Sequence, residues 1–201
     1  MPIDGVFEKA LKVLFKYEIS PTRFWDNHPN DSGGFTYYGI ARNFHPDWQG
    51  WPIVDADMTR FGRPRSLEDA PELYTMVQGF YYREFWLRNN IHLLAEISPA
   101  CAIEVFEASA NGGGVSILQK TLNTMNKNGV LWPELKVDGS IGPLTILALR
   151  KAVQVRGEGK VYKRLNLYQA KRFFELQEAR PEKYEVFDGW FDRVTCNLPE
   201  V

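Results

Sequence analysis

Three carboxylates near the start of the chain, Glu18, Asp26 and Asp31, are the residues whose types and spacing most invite a chemical reading. Phe7, Leu11, Leu14 and Glu18 follow the i, i+4, i+7, i+11 rhythm of one helix face, so Glu18 continues an apolar row. A carboxyl there is expected to be buried and to meet the negative end of its own helix. Both effects disfavour the ionised form and push the pKa upward. An acid that keeps its proton near neutral pH can protonate a leaving oxygen, the step that glycosidic-bond cleavage requires. From helix position alone, a frayed last turn with Glu18 in water is the plainer reading.

The elements that would hold these acids are legible around them. An amphipathic helix over residues 6–18 stops at Ser20-Pro21. A loop of turn formers follows, with Asp26, Asn27, Asn30, Asp31 and Ser32. Gly33-Gly34 then opens Phe35-Thr36-Tyr37-Tyr38-Gly39-Ile40, which alternates as a short strand or hairpin does. A helix-ending acid, an acidic loop and a small β-element form the layout of a lysozyme-like cleft.

Phe7-Glu8-Lys9-Ala10-Leu11, Glu18, the stretch Asn27-His28-Pro29-Asn30-Asp31-Ser32-Gly33-Gly34 and Thr36-Tyr37-Tyr38-Gly39-Ile40 together resemble glycoside hydrolase family 108. These are N-acetylmuramidases, also called secretion activator proteins, and many are phage-derived. The resemblance continues through Tyr82-Arg83-Glu84-Phe85-Trp86, residues 106–112 and Leu118-Gln119. From residue 106 on, and through Val137-Asp138-Gly139-Ser140-Ile141-Gly142-Pro143-Leu144-Thr145, it is similar to the family's peptidoglycan-binding segment, and Gly189-Trp190-Phe191-Asp192-Arg193-Val194 resembles the family's C-terminal Gly-Trp-x-x-Arg signature. The resemblance implies that Glu18 is the general acid, with Asp31 as the second carboxylate because it matches the family's loop aspartate. Asp26 is the alternative for that role. Thr36, Tyr37 and Tyr38 would line the cleft from the β-element, and Asn111 from an opposing helix end. One departure is plain: Ile19-Ser20-Pro21-Thr22-Arg23 follows Glu18 where the family has Gly-Gly-Tyr, and the loop to Gly33 is lengthened.

Composition sets the outer bounds. With 201 residues, 44% hydrophobic and 24% charged, the chain has ordinary globular composition and length enough for a real core. A formal net charge of −1 gives no electrostatic case for nucleic acid or a membrane surface. Cys101 and Cys196 stand far apart in no metal or redox spacing and read as reduced apolar residues, with a disulfide as the alternative. His28, His45 and His92 form no metal-ligand spacing, and there is no Gly-x-Ser-x-Gly elbow. No metal and no cofactor are implied. The N-terminus lacks a basic leader followed by an apolar run, and no stretch is long enough to span a bilayer. The expectation is synthesis in the cytoplasm without a signal peptide. Action in the periplasm or cell wall would then need export through a holin or a secretion system, a route implied by the resemblance.

Elsewhere the pattern is helical. Pro71 opens a helix to about Arg88, Ser98-Pro99 is a cap and first-turn pair for a helix ending at Asn111-Gly112, and residues 115–125 form another. Gly142-Pro143 opens a further helix, and a long one covers about 161–179. Gly112-Gly113-Gly114 lacks the Lys-Ser/Thr of a phosphate loop and reads as a helix end and turn. Among the six tryptophans, Trp25, Trp48 and Trp51 lie near the acidic loop, where they could stack on sugar rings, although packing is the plainer reading for each; Trp86, Trp132 and Trp190 read as core or interface.

The reading is a predominantly helical α+β protein with a lysozyme-like fold and a small β-hairpin beside the catalytic helix. It is expected to be a single domain over 1–201, with a catalytic part in 1–95 and a peptidoglycan-binding part in 96–201 packed into the same fold. Its expected partner is the glycan strand of peptidoglycan, with neither nucleic acid nor membrane insertion. The rival reading is a non-catalytic peptidoglycan-binding or secretion-assisting protein with a degenerate cleft, supported by the missing glycines after Glu18.

Overall fold

The computed structural model describes residues 5–19, 24–27, 32–110, 113–181, 190–195 and 198. In them the protein is a predominantly helical α+β fold with one small antiparallel sheet, as expected of a lysozyme-like protein. The helices are α1 (Gly5–Glu18), α2 (Trp51–Phe61), α3 (Pro71–Tyr81), α4 (Ile91–Ala95), α5 (Pro99–Ala110), α6 (Gly114–Asn123), α7 (Pro143–Arg156) and α8 (Glu158–Ala179). Strands β1 (Trp25–Asp26), β2 (Thr36–Tyr37) and β3 (Ile40–Ala41) pair in sequence order, with Asp26 opposite Thr36 and Tyr37 opposite Ile40. None of the described helices is long and apolar enough to cross a membrane.

The local signals behave as their chemistry dictates. Ser98 caps α5 by accepting the Cys101 N–H at 3.1 Å, and Pro99 fills the first helical position, where no N–H is missed. Pro71 and Pro143 open α3 and α7 in the same way. The helix expected from Pro71 to about Arg88 is continuous, but its last part, Tyr82–Leu87, is wound as a π-helix. Gly114 begins α6, and a Cβ there would lie 2.3 Å from the Val105 carbonyl oxygen. Only glycine allows α6 to approach α5 so closely, which is the close packing of the glycine run rather than an anion loop. Helix α2 was not expected from sequence; Gly50 gives it no side-chain cap, and its aspartates interrupt the apolar rhythm.

Contacts divide the chain into two compact units, one of residues 1–13 and 85–201, the other of residues 14–84. The boundary falls inside α1 and inside the π-helix. In the larger unit, α5 packs on α4, α6 and α8, and α7 packs on α8. Phe7, Trp86 and Phe106 meet edge to face at 5.5–5.8 Å, and all three rings are buried. Burying rings of this size contributes about 1.5–3 kcal/mol each. Trp132 is buried in this unit as well, and Trp190 lies 5.3 Å from Phe173. In the smaller unit the core gathers around Tyr37, Tyr38, Ile40, Trp48, Trp51 and Val54.

Candidate active site

Strands β2 and β3 are joined by a two-residue turn, Tyr38-Gly39, with φ of 45° and 76°. Both residues having positive φ is the signature of the type I′ hairpin turn, which matches the twist of the paired strands. Asparagine and glycine usually occupy it. A tyrosine there is strained, at a cost of about 1–3 kcal/mol, and persists only because its surroundings hold it. The holding contacts are specific. The Tyr81 hydroxyl donates to the Tyr38 carbonyl at 2.9 Å, the Tyr38 N–H donates to Phe24 O at 2.7 Å, and the Leu67 N–H donates to the Tyr38 hydroxyl at 3.2 Å. Gly39 completes the fit, because a Cβ there would lie 2.5 Å from the Tyr81 hydroxyl oxygen.

The C-terminal end of α1 docks on this turn. Phe15 packs against the Tyr38 and Tyr81 rings, both at 5.7 Å between centroids. The Ile19 N–H still donates to Phe15 O at 3.0 Å, so the helical ladder runs past Glu18 and the last turn is not frayed. Glu18 is exposed all the same, which corrects the expectation that it is buried as part of the apolar row. The row reaches the core through Phe7, Leu11 and Leu14, and the helix emerges before Glu18. The Glu18 charge is felt by Tyr81, whose phenol is pushed upward by burial first and by Glu18 second. The helix-ending acid and the strained hairpin turn are therefore parts of one local assembly.

The other expected site residues fall into three groups. Asp26 and Thr36 sit opposite each other on β1 and β2, so their side chains share one sheet face. Asp26 is exposed and accepts the Asn27 N–H at 2.8 Å; Thr36 is half-buried and donates to Gly34 O at 3.1 Å. Trp25, Tyr37 and Ile40 occupy the opposite face, and strand alternation carries Tyr37 into the core. Tyr37 is fully buried, its hydroxyl donating to Arg65 O at 2.8 Å, and Tyr38 is 8% exposed. The expectation that these tyrosines line a cleft is corrected: both spend their rings and hydroxyls on fixing the hairpin. Desolvation raises both phenols, Tyr37 strongly. Asp31 and Asn111 lie outside the described residues, as does any Glu18–Asp31 separation.

The tryptophans expected to stack on sugars are also packing residues. Trp48 and Trp51 are buried and meet edge to face at 4.9 Å, while half-buried Trp25 stacks on Phe35 at 5.8 Å. Behind the sheet, buried Asp57 of α2 binds the Arg65 guanidinium at 2.9 Å, and Arg65 reaches Glu72 of α3 at 2.8 Å. The Glu72 carboxyl is held below the usual carboxylate range by a backbone hydrogen bond and by Arg65. This network fixes the segment that receives the Tyr37 hydroxyl. A cavity of about 390 Å³ opens beside it between Phe24, Phe61, Arg63 and Asp69, and Glu18 does not line it.

A second set of carboxylates escaped the sequence reading. Glu104 and Glu107 of α5 are both buried. Glu107 accepts from the Arg193 guanidinium at 2.9 Å and from the Gln169 amide at 2.8 Å. Glu104 lies against Tyr162 and Asn166 of α8, and its carboxyl is pushed up to about 8 by burial first and the Glu107 charge second. Asn166 in turn accepts the Thr195 N–H at 2.8 Å, and Tyr162 pairs with the Thr195 hydroxyl at 2.9 Å. The available signal was two glutamates in an otherwise apolar helix, Pro99–Ala110. Cys101 of the same helix is a buried free thiol. Among the described residues no group of three His, Cys, Asp or Glu side chains is arranged to hold a metal.

Comparison with known families fits this geometry in two consecutive stretches. Residues 22–113 match glycosyl hydrolase 108, and residues 113–195 match a family described as a predicted peptidoglycan domain. The first stretch carries the sheet, the hairpin turn and helices α2 to α5; it begins after Glu18. The second carries α6 to α8 and Arg193. No curated protein matches the chain significantly. Taken in order, the chain is similar to glycosyl hydrolase 108 over residues 22–113 and to a predicted peptidoglycan domain over residues 113–195.

Proposed function

We propose that this protein is an N-acetylmuramidase, cleaving the β-1,4 bond between N-acetylmuramic acid and N-acetylglucosamine in the glycan strands of peptidoglycan. The observation that carries the reading is the pairing of a glycosyl hydrolase stretch with a peptidoglycan stretch directly behind a helix-ending glutamate. Glu18 acts as general acid on the glycosidic oxygen. Its helix end is positioned by Phe15 on the Tyr38–Tyr81 pair, a preorganised support that needs no rearrangement when substrate arrives. Substrate contact itself supplies the desolvation that the free protein lacks at Glu18. Asp31 is the second carboxylate, activating water or supporting the oxocarbenium-like transition state, with Asp26 as the alternative. Thr36, on the exposed sheet face with Asp26, and Asn111 contact the glycan. Tyr37 and Tyr38 position the hairpin.

The protein acts on the wall side of the membrane after export by a holin or a secretion system, and it folds as one cooperative unit. Support for the last point is that the boundary between the two compact units cuts through α1 and the π-helix. A second reading, a non-catalytic peptidoglycan-binding or export-assisting protein, draws on the exposure of Glu18 and on Ile19-Ser20-Pro21 in place of glycines. The deciding experiment is incubation of purified peptidoglycan with the pure protein, followed by mass spectrometry of soluble products. Release of disaccharide-peptides with a muramic reducing end is expected. Tight sedimentation with the wall but no soluble product would select the second reading.

A further inference from the structure

Helices α6 and α8 pack together, and Lys and Arg are the most numerous residues lining two cavities along their seam. At one end a cavity of about 460 Å³ is lined by Lys127, Arg156, Lys160, Lys163 and Arg164, with no acidic residue in its wall. At the other end a cavity of about 440 Å³ is lined by Lys120, Lys171 and Arg172, with Glu175 as its one acid, 3.5 Å from Lys171. Arg164 is held in place by donating to Thr124 O at 3.1 Å. Among the described residues, Lys127, Arg156, Lys160 and Lys163 have no carboxylate partner.

This arrangement is electrostatically unfavourable for the protein alone. Lys160 stands in the first turn of α8, at the positive end of its dipole, where a cation destabilises a helix. Lys160 and Arg164 are also a like-charged i, i+4 pair. A bound anion would relieve both penalties. The chain as a whole carries a formal charge of only −1, so the cationic character is a local concentration and not a general property. Sugar recognition would call for neutral hydrogen-bonding groups and stacking rings. Here Tyr168 is the single aromatic residue along both cavities. Lys160 and Lys171 are about 16 Å apart along the helix, a span suited to an extended polymer bearing several anions.

We propose that the α6–α8 seam binds the carboxylates of peptidoglycan stem peptides, so that the peptidoglycan domain reads the peptide and not the glycan. The ligand class rests on the peptidoglycan reading above. The cationic seam holds the wall by its charged side chains.

The test uses the full chain and a variant carrying K127Q, K160Q and K163Q, all exposed positions, with its fold checked by circular dichroism and thermal melting. Co-sedimentation is measured with intact peptidoglycan, with glycan strands stripped of stem peptides by an amidase, with anionic phospholipid vesicles and with duplex DNA. Expected is a roughly tenfold or greater loss of affinity of the variant for intact peptidoglycan, salt-sensitive in the wild type, with glycan-only binding and glycan turnover unchanged. Equal binding of variant and wild type to intact peptidoglycan overturns the proposal. An equal loss on stripped glycan overturns it too, and so does wild-type binding to vesicles or DNA tighter than to peptidoglycan. If no substrate is turned over at all, the muramidase reading fails while this binding comparison still stands or falls by itself.

Discussion

Glu18 and Glu104 are both glutamates on helices that pack into cores, and the protein treats them in opposite ways. Glu18 ends α1 in solvent, its helix turn intact and anchored by Phe15, three residues earlier, on the hairpin turn. Glu104 sits in the middle of α5, buried, beside a second carboxylate that is already committed to Arg193 and Gln169. Only the second has the desolvated surroundings that sequence reasoning assigned to the first. A perturbed carboxyl is often taken as the mark of an active site, but structural ion-pair networks perturb pKa values just as strongly. Here burial marks the carboxylates that tie α5 to α8 and to Arg193, and the candidate acid is marked by its support.

Removing each carboxylate in turn sharpens that contrast. The largest expected effect is Glu18→Gln, which should lower wall lysis by about 10²–10⁴-fold, the usual contribution of a general acid, with the melting temperature unchanged. A Gln variant that clears peptidoglycan at the wild-type rate would remove Glu18 from the mechanism. On the buried side, Arg193→Leu should cost about 3–5 kcal/mol of stability by leaving Glu107 charged and buried. Denaturant titration should show that loss as one transition for the whole chain. Two separate transitions would instead show that the two units unfold independently.

Within the site region, Asp31→Asn should reduce turnover more than Asp26→Asn, read as kcat on solubilised glycan. The reverse order would make Asp26 the second carboxylate. Gly39→Ala should destabilise by about 1–3 kcal/mol, since it places a Cβ at positive φ against the Tyr81 hydroxyl. The same change should lower activity in Glu18-intact protein if the hairpin turn positions the helix end; stability lost with activity fully retained would uncouple the two.

The buried carboxylate also sets a pH trend. The Glu104 carboxyl is raised from an ordinary 4.5 to about 8, so the folded state keeps a proton that the unfolded chain releases over that interval. Its contribution to stability is complete below about pH 4.5 and is lost as pH rises through about 8. Melting temperature should therefore fall between these limits in wild type, and the fall should flatten in Glu104→Gln. A slope unaltered by the substitution would place the titration elsewhere.

The helices that open with Pro71, Ser98-Pro99 and Gly142-Pro143 were readable because capping and fixed proline φ act within a few residues. The hairpin was readable for the same reason, its glycines and alternating residues being local chemistry. The family could be recognised from the order of motifs along the chain. What the sequence left undetermined was where side chains end up once elements pack. Strand alternation makes Thr36 and Tyr37 face opposite ways, but only the tertiary structure decided that the tyrosine side is the core. Helical rhythm put Glu18 in an apolar row, but the point at which α1 leaves the core depends on packing partners distant in sequence. The partners of Glu107, Gln169 and Arg193, lie 62 and 86 residues away along the chain, beyond the reach of any local pattern. Local rules fix which backbone forms; burial is a property of the whole folded chain, and it decides which carboxylate is left in solvent.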